Sequence, residues 1–137
     1  MENKTTIQVN HELTKEIMLD ILTTAIEGGI GYWSILLNDD PKWEKASKQW
    51  KEEHNGETPC YCDSAYKVME NGDAIRLEDV DDGNIYELTM EKFLNGCKLY
   101  IEKTGKDIKK AMDESNFDAW DADAIIQYAL FGEVIYG

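Results

Sequence analysis

The residues of this chain best suited to chemistry are few. Cys60-Tyr61-Cys62 puts two thiols on the same side of an expected strand, and Cys97, His11 or His54 would have to complete a zinc site around them. The spacing lacks the repeated ligand pairs, two to four residues apart, that mark such sites, so the cysteines read as core or surface thiols and no metal is expected. Asp79-Val80-Asp81-Asp82-Gly83 lacks the alternating acids before a sixth-position glycine, and the closing glutamate, of an EF-hand loop. Weak, unspecific divalent binding by these clustered acids stays open. There is no phosphate-cradling glycine loop with a lysine and no Gly-x-Ser-x-Gly elbow. His54 sits among Glu52, Glu53 and Asn55, and with two histidines and no nucleophile motif the chain is expected not to be an enzyme. Carboxylate-only hydrolysis, which spacing does not reveal, is the surviving catalytic alternative. No cofactor is expected.

Charge narrows the partners. Fourteen basic residues against twenty-eight acidic ones give −14, and Arg76 is the single arginine. Direct nucleic-acid binding needs several Lys/Arg contacts to phosphate, and an anionic membrane surface would repel such a chain. Neither is an expected ligand. Residues 70–91 hold eight acids, among them Glu78, Asp79, Asp81 and Asp82, against Arg76, a net of −7. Residues 113–123 add Asp113, Glu114, Asp118, Asp121 and Asp123 without a base, and the segment between, 92–110, is net +4. A solvated acidic surface is the bland reading. The sharper one is an anionic face for a basic partner, formed by Glu78, Asp79, Asp81, Asp82, Asp113, Glu114 and Asp118.

At 137 residues the chain fits a single domain able to bury about two-thirds of its unfolded surface. The 42% apolar and 31% charged fractions are those of a globule rather than a disordered tail, and no apolar run approaches a membrane span. The odd cysteine count and an N-terminus without a basic-then-apolar leader make the cytoplasm the expected compartment, with no disulfide framework.

The expected fold is α+β: an antiparallel meander of about four to six strands packed with three to five helices. Thr5–Val9 alternates like a short strand, and Asn10 looks like the cap of a helix whose stripe is Leu13, Ile17, Ile21 and Ala25. That helix stops at Glu27-Gly28-Gly29, where glycine reverses the chain without a Cβ clash. Glu27, in the last turn, faces the negative end of the macrodipole and is therefore exposed, paired or used. Ile30–Leu37 is apolar enough for a central strand. Pro41 opens a lysine-rich helix anchored by Trp43 and Trp50. Cys60–Met69, 74–77 and 85–88 read as three antiparallel strands, with Asn71-Gly72 and Asp81–Asn84 as their turns. Thr89 caps a helix stopped by Gly105, in which Gly96 signals close packing. Lys106–Glu114 is a further helical piece. Asp121 and Asp123 suit the start of a last helix that Gly132 ends, and Glu133–Gly137 is β-prone and tucks into the sheet.

Two blocks, Glu27-Gly28-Gly29-Ile30-Gly31-Tyr32-Trp33 and Ala122-Asp123-Ala124-Ile125-Ile126-Gln127-Tyr128-Ala129-Leu130-Phe131-Gly132-Glu133-Val134-Ile135-Tyr136-Gly137, resemble a group of small, mostly uncharacterised bacteriophage and prophage proteins that share them with variable sequence between. The resemblance implies a phage origin and attaches no activity to any residue. By class analogy alone, small acidic phage proteins suggest an anti-defence inhibitor, anti-CRISPR-like or a DNA mimic. The blocks also have a purely structural reading, with the strands 30–37 and 134–136 pairing and Tyr32, Trp33, Phe131 and Tyr136 clustering.

The leading expectation is a protein whose acidic loops cover the basic, nucleic-acid-binding surface of a host protein. The alternatives are a small-ligand or nucleotide pocket formed by Glu27, Tyr32, Trp33 and Gln127, and a phage structural or assembly component. A homodimer is a further option.

Overall fold

The computed structural model describes residues 11–137. The expected strand at Thr5–Val9 and the cap at Asn10 lie outside the described residues. The first helix, α1 (Lys15–Thr24), is capped by Thr14, whose hydroxyl accepts the Ile17 N–H, and it buries Ile17, Ile21 and Leu22. Its last turn widens into a π-helical turn over Ala25–Gly29, closed by the Ile30 N–H on the Ala25 carbonyl. The remaining elements are β1 (Ser34–Leu37), α2 (Pro41–Glu53), α3 (Tyr61–Glu70), β2 (Ile75–Asp79), β3 (Ile85–Leu88), α4 (Met90–Thr104), α5 (Ile108–Asp113) and α6 (Ala119–Phe131).

The α+β class holds, but the described residues form three strands and six α-helices, fewer strands and more helices than expected. The sheet is antiparallel in the order β1-β2-β3. Much of the difference comes from Cys60–Met69, which is a helix rather than a strand. Its β-prone Cys, Tyr and Val hide a helical spacing, since Cys62, Ala65, Tyr66 and Met69 share one buried face. Asp63, three residues after Cys60, accepts the Cys60 N–H and ties down the first turn. Asn71-Gly72 consequently ends α3 instead of turning a hairpin, with Gly72 at φ +88°. The place vacated in the sheet is taken by β1, shorter than expected and at an edge: Ile35 faces Glu78, and Leu37 faces Arg76.

Several end signals hold. Asp40 and Pro41 start α2, Thr89 starts α4 by accepting the Lys92 N–H, and Gly105 and Gly132 stop α4 and α6 in the left-handed conformation. The inward face of the sheet contributes Ile75, Leu77 and Leu88 to a core shared with α1, α3, α4 and α6. Residues 133–137 are not a strand. They run back over α6 and are held by side chains, for reasons taken up below.

The tightest helix pair is α4 with α6, and Gly96 is what lets them approach. A Cβ there would stand 2.6 Å from both Ala129 Cβ and the Ile125 carbonyl oxygen. Backbone cannot yield as a flexible side chain can, so Gly96→Ala should destabilise the fold by about 1–3 kcal/mol despite alanine's better helix propensity. Thermal denaturation checks this: the expected result is a fall of several degrees in Tm.

Candidate functional site

The stretches 27–33 and 122–137 meet at one buried cluster. The π-helical turn brings Gly29 so close to α6 that a Cβ on it would meet the Ala119 carbonyl oxygen at 2.8 Å. The chain then turns through Ile30 and presents Tyr32 and Trp33 to α6. The Asp123 carboxylate, 6% exposed, accepts the Trp33 Nε1–H at 2.8 Å, the Tyr32 hydroxyl at 2.6 Å and the Gln127 Nε2–H at 2.9 Å. Among the described residues no cation joins these donors; the carboxylate's lost hydration is replaced by neutral ones.

Gln127 carries the connection onward. Fully buried, it uses Oε1 to accept the backbone N–H groups of Ile135 and Tyr136, each at 2.8 Å. One glutamine thus does for the tail what a neighbouring strand would have done. Tyr136 then stacks on Trp33 with ring centroids 4.7 Å apart, Phe131 packs against both, and the Tyr136 hydroxyl donates to Asp79. The expected aromatic cluster exists for Trp33, Phe131 and Tyr136, while Tyr32 holds its ring 54% exposed at the rim.

The expected sites change accordingly. Asp79 is buried, not part of an open acidic face: besides Tyr136 it accepts the N–H groups of Asp81 and Asp82 at 2.8 and 3.1 Å, which shapes the turn between β2 and β3. Its short side chain hydrogen-bonds the backbone two and three residues on, as turn-forming aspartates do. Asp81 and Asp82 are left exposed at the tip and Glu78 is half-buried on the outer face of the sheet. Asp118 is exposed and caps α6, accepting the Trp120 and Asp121 N–H groups. Glu114, by contrast, lines a different cleft, with Lys106, Asp107 and Lys110. Asp113 closes α5.

Asp121 and Asp123, expected only to complement the helix dipole, are both buried. Asp121 accepts the Tyr100 hydroxyl at 2.6 Å, the Lys106 ammonium at 2.9 Å and the Asp118 N–H at 3.0 Å. Of the alternative ligand set, Tyr32, Trp33 and Gln127 do meet, but Glu27 does not join them. It is exposed on the π-helical turn and lines a separate cavity with Thr58, Pro59 and Cys62. The hub that sequence reading missed is Asp123 itself. Its signal was an Asp and a Gln four residues apart, Asp123 and Gln127, in the otherwise largely apolar run 122–131, one helical face carrying two polar groups that need partners.

A shallow cleft of about 110 Å³ opens beside this cluster, lined by Trp120, Asp123, Ala124, Val134, Tyr136 and Gly137. Trp120 stands 74% exposed on its wall, with Val134 and Ile135 also exposed. Of the cleft's lining residues, Trp120 donates its backbone N–H to Asp118 and Tyr136 donates its hydroxyl to Asp79, which shapes the turn carrying Asp81 and Asp82. No helix among the described residues is long and apolar enough to cross a membrane. No protein-family model matches the chain, and no curated protein or solved structure matches it at a significant level.

The buried bonds set a pH profile. Burial and the bond to Asp123 push the Tyr32 phenol up to about 12, so its contribution is intact below the ordinary value of 10 and is lost as pH rises through 12. The Tyr136 hydroxyl and two backbone N–H groups hold Asp79 below its ordinary 3.8. Burial opposes the charge of Asp121, but Tyr100, the Asp118 N–H and Lys106 outweigh it and hold that carboxyl low as well. These two contribute above the ordinary carboxylate value, and their contribution is lost as pH falls through their depressed values. Tm measured across pH should therefore be flat from about 5 to 9 and drop at both ends. Tyr32→Phe should soften the alkaline drop and leave the acid one.

Proposed function

We propose that the chain is a phage-derived acidic protein that binds and blocks a basic, nucleic-acid-binding host protein, as an anti-defence inhibitor would. The observation that carries this reading is Trp120, a large aromatic side chain 74% exposed on the wall of a cleft, two residues after the exposed cap Asp118 and sharing that lining with Tyr136, whose hydroxyl bonds the Asp79 of the acidic turn. Tryptophans rank among the residues that dominate interface energies once a partner covers them, and Val134 and Ile135 add exposed apolar surface close by. Acids around such an anchor steer a basic partner into place and discriminate against wrong ones, while the anchor supplies affinity. Asp113 and Glu114, beside the lysines of α5, fit this surface less well than Asp81, Asp82 and Asp118 do.

A nucleotide pocket is less well supported. The polar atoms of Trp33 and Gln127 are engaged by Asp123 and the tail, and the adjoining cleft is well below the ~300 Å³ at which ligand pockets begin.

Capture from host lysate on the immobilised chain tests the proposal, comparing the unaltered protein with Trp120→Ala and with Asp81, Asp82 and Asp118 together changed to lysine. The expected outcome is a captured protein whose own nucleic-acid binding is blocked, lost with either variant and weakened strongly at about 0.5 M salt. Capture that survives the triple reversal and high salt would contradict it.

A further inference from the structure

Cys60 and Cys62 are bonded to each other across a single residue, with Cα atoms 5.5 Å apart. The sequence leads to the opposite expectation of two unlinked thiols, so the bond needs a reason. Stapling is a poor one. A disulfide stabilises chiefly by closing a loop of the unfolded chain, and the effect shrinks with the number of residues enclosed. This one encloses Tyr61 alone and joins two residues of the same helical turn, so it ties no element to another. In a reducing compartment, moreover, the disulfides that do form are mostly transient, catalytic or redox-sensing.

The surroundings suit exchange. Cys60 is exposed and Cys62 is buried, so an external thiolate meets the Cys60 sulfur first. An open cavity of about 390 Å³ lies against the pair, lined by Ile26, Glu27, Thr58, Pro59 and the exposed Tyr61. Cys62 is the second residue of the ten-residue α3, where unpaired first-turn N–H groups favour a departing thiolate. Asp63 Oδ2 stands 3.1 Å from Cys60 Sγ, in place to accept the S–H once the bond is reduced. Cys97, the third cysteine, is buried in the core and takes no part.

We propose that Cys60-Tyr61-Cys62 is a thiol–disulfide exchange site that takes two electrons from a pair of external thiols, of the glutathione or cysteinyl-peptide kind, seated in the adjoining cavity. A first thiolate attacks Cys60 Sγ; the Cys60–Cys62 bond breaks and its electron pair leaves on Cys62. A second thiolate attacks the external sulfur of the mixed disulfide, releasing Cys60 as thiolate and an external disulfide. The two protons of the reacting thiols end on Cys60 and Cys62, so the external pair is oxidised as the protein pair is reduced.

Equilibrating the folded protein in glutathione buffers of graded reduced-to-oxidised ratio, then acid quenching, alkylation and mass spectrometry, tests the site. The expected result is that Cys60 and Cys62 convert together between disulfide and dithiol within that range while Cys97 stays unmodified until the chain is denatured. Cys62→Ser should trap a glutathione adduct on Cys60, and Cys60→Ser should lose trapping. A pair that stays oxidised at every ratio until unfolding, a pair that stays reduced in oxidised glutathione, or thiols that instead take up one zinc ion per chain and cease to exchange would each overturn the proposal.

Discussion

A carboxylate withdrawn from water costs several kcal/mol unless donors replace its hydration, and the fold around Tyr32, Trp33 and α6 is arranged to meet that demand at Asp123. Its donors arrive from two directions: Tyr32 and Trp33 from the chain that leaves the π-helical turn, and Gln127 from one turn further along α6. Because Gln127 also holds the Ile135 and Tyr136 amides, the same hydrogen-bonded unit fixes the tail. Tyr136 then closes the ring by stacking on Trp33 and bonding Asp79, which in turn shapes the β2–β3 turn. Three stretches distant in sequence, Tyr32-Trp33, the Asp79 turn and α6 with its tail, are thereby set relative to one another by a few neutral donors and two buried acids.

This dependence explains what the surface carries. Asp118 caps α6 and Trp120 lies in its first turn, and α6 is held by the Asp123 bonds on one side and by the Gly96 contact with α4 on the other. Asp81 and Asp82 keep their side chains in water because Asp79 satisfies their amides from below. Acidic loops that sequence composition presents as one charge reservoir therefore divide by place: Asp79, Asp121 and Asp123 build the interior, whereas Asp81, Asp82 and Asp118 stay exposed. The Cys60–Cys62 pair and Glu27 belong to a different cavity.

Local signals in the sequence were largely sufficient where the determining contact is itself local. The caps at Thr89 and Pro41, the left-handed stops at Gly105 and Gly132 and the close approach at Gly96 follow from the conformational limits of single residues. They fail where two readings share a residue set, as at Cys60–Met69, whose β-prone side chains suit a strand until the spacing of its buried face is counted. They fail also where the partner is remote. Nothing near Glu133–Gly137 announces that a glutamine side chain, not a strand, receives its amides. Nor does anything near Ser34–Leu37 select β2 as its neighbour. Of the candidate site, the meeting of Tyr32, Trp33 and Gln127 was legible from the paired blocks, but Asp123 at its centre and the separation of Glu27 from it were not.

Amide hydrogen exchange at Ile135 and Tyr136 tests the central role of Asp123 most directly. Protection of both amides in the unaltered protein, lost in Asp123→Ala while the β2 and β3 amides stay protected, is the predicted result. Free-peptide exchange at those two amides in the unaltered protein, or undiminished protection in the variant, would contradict it.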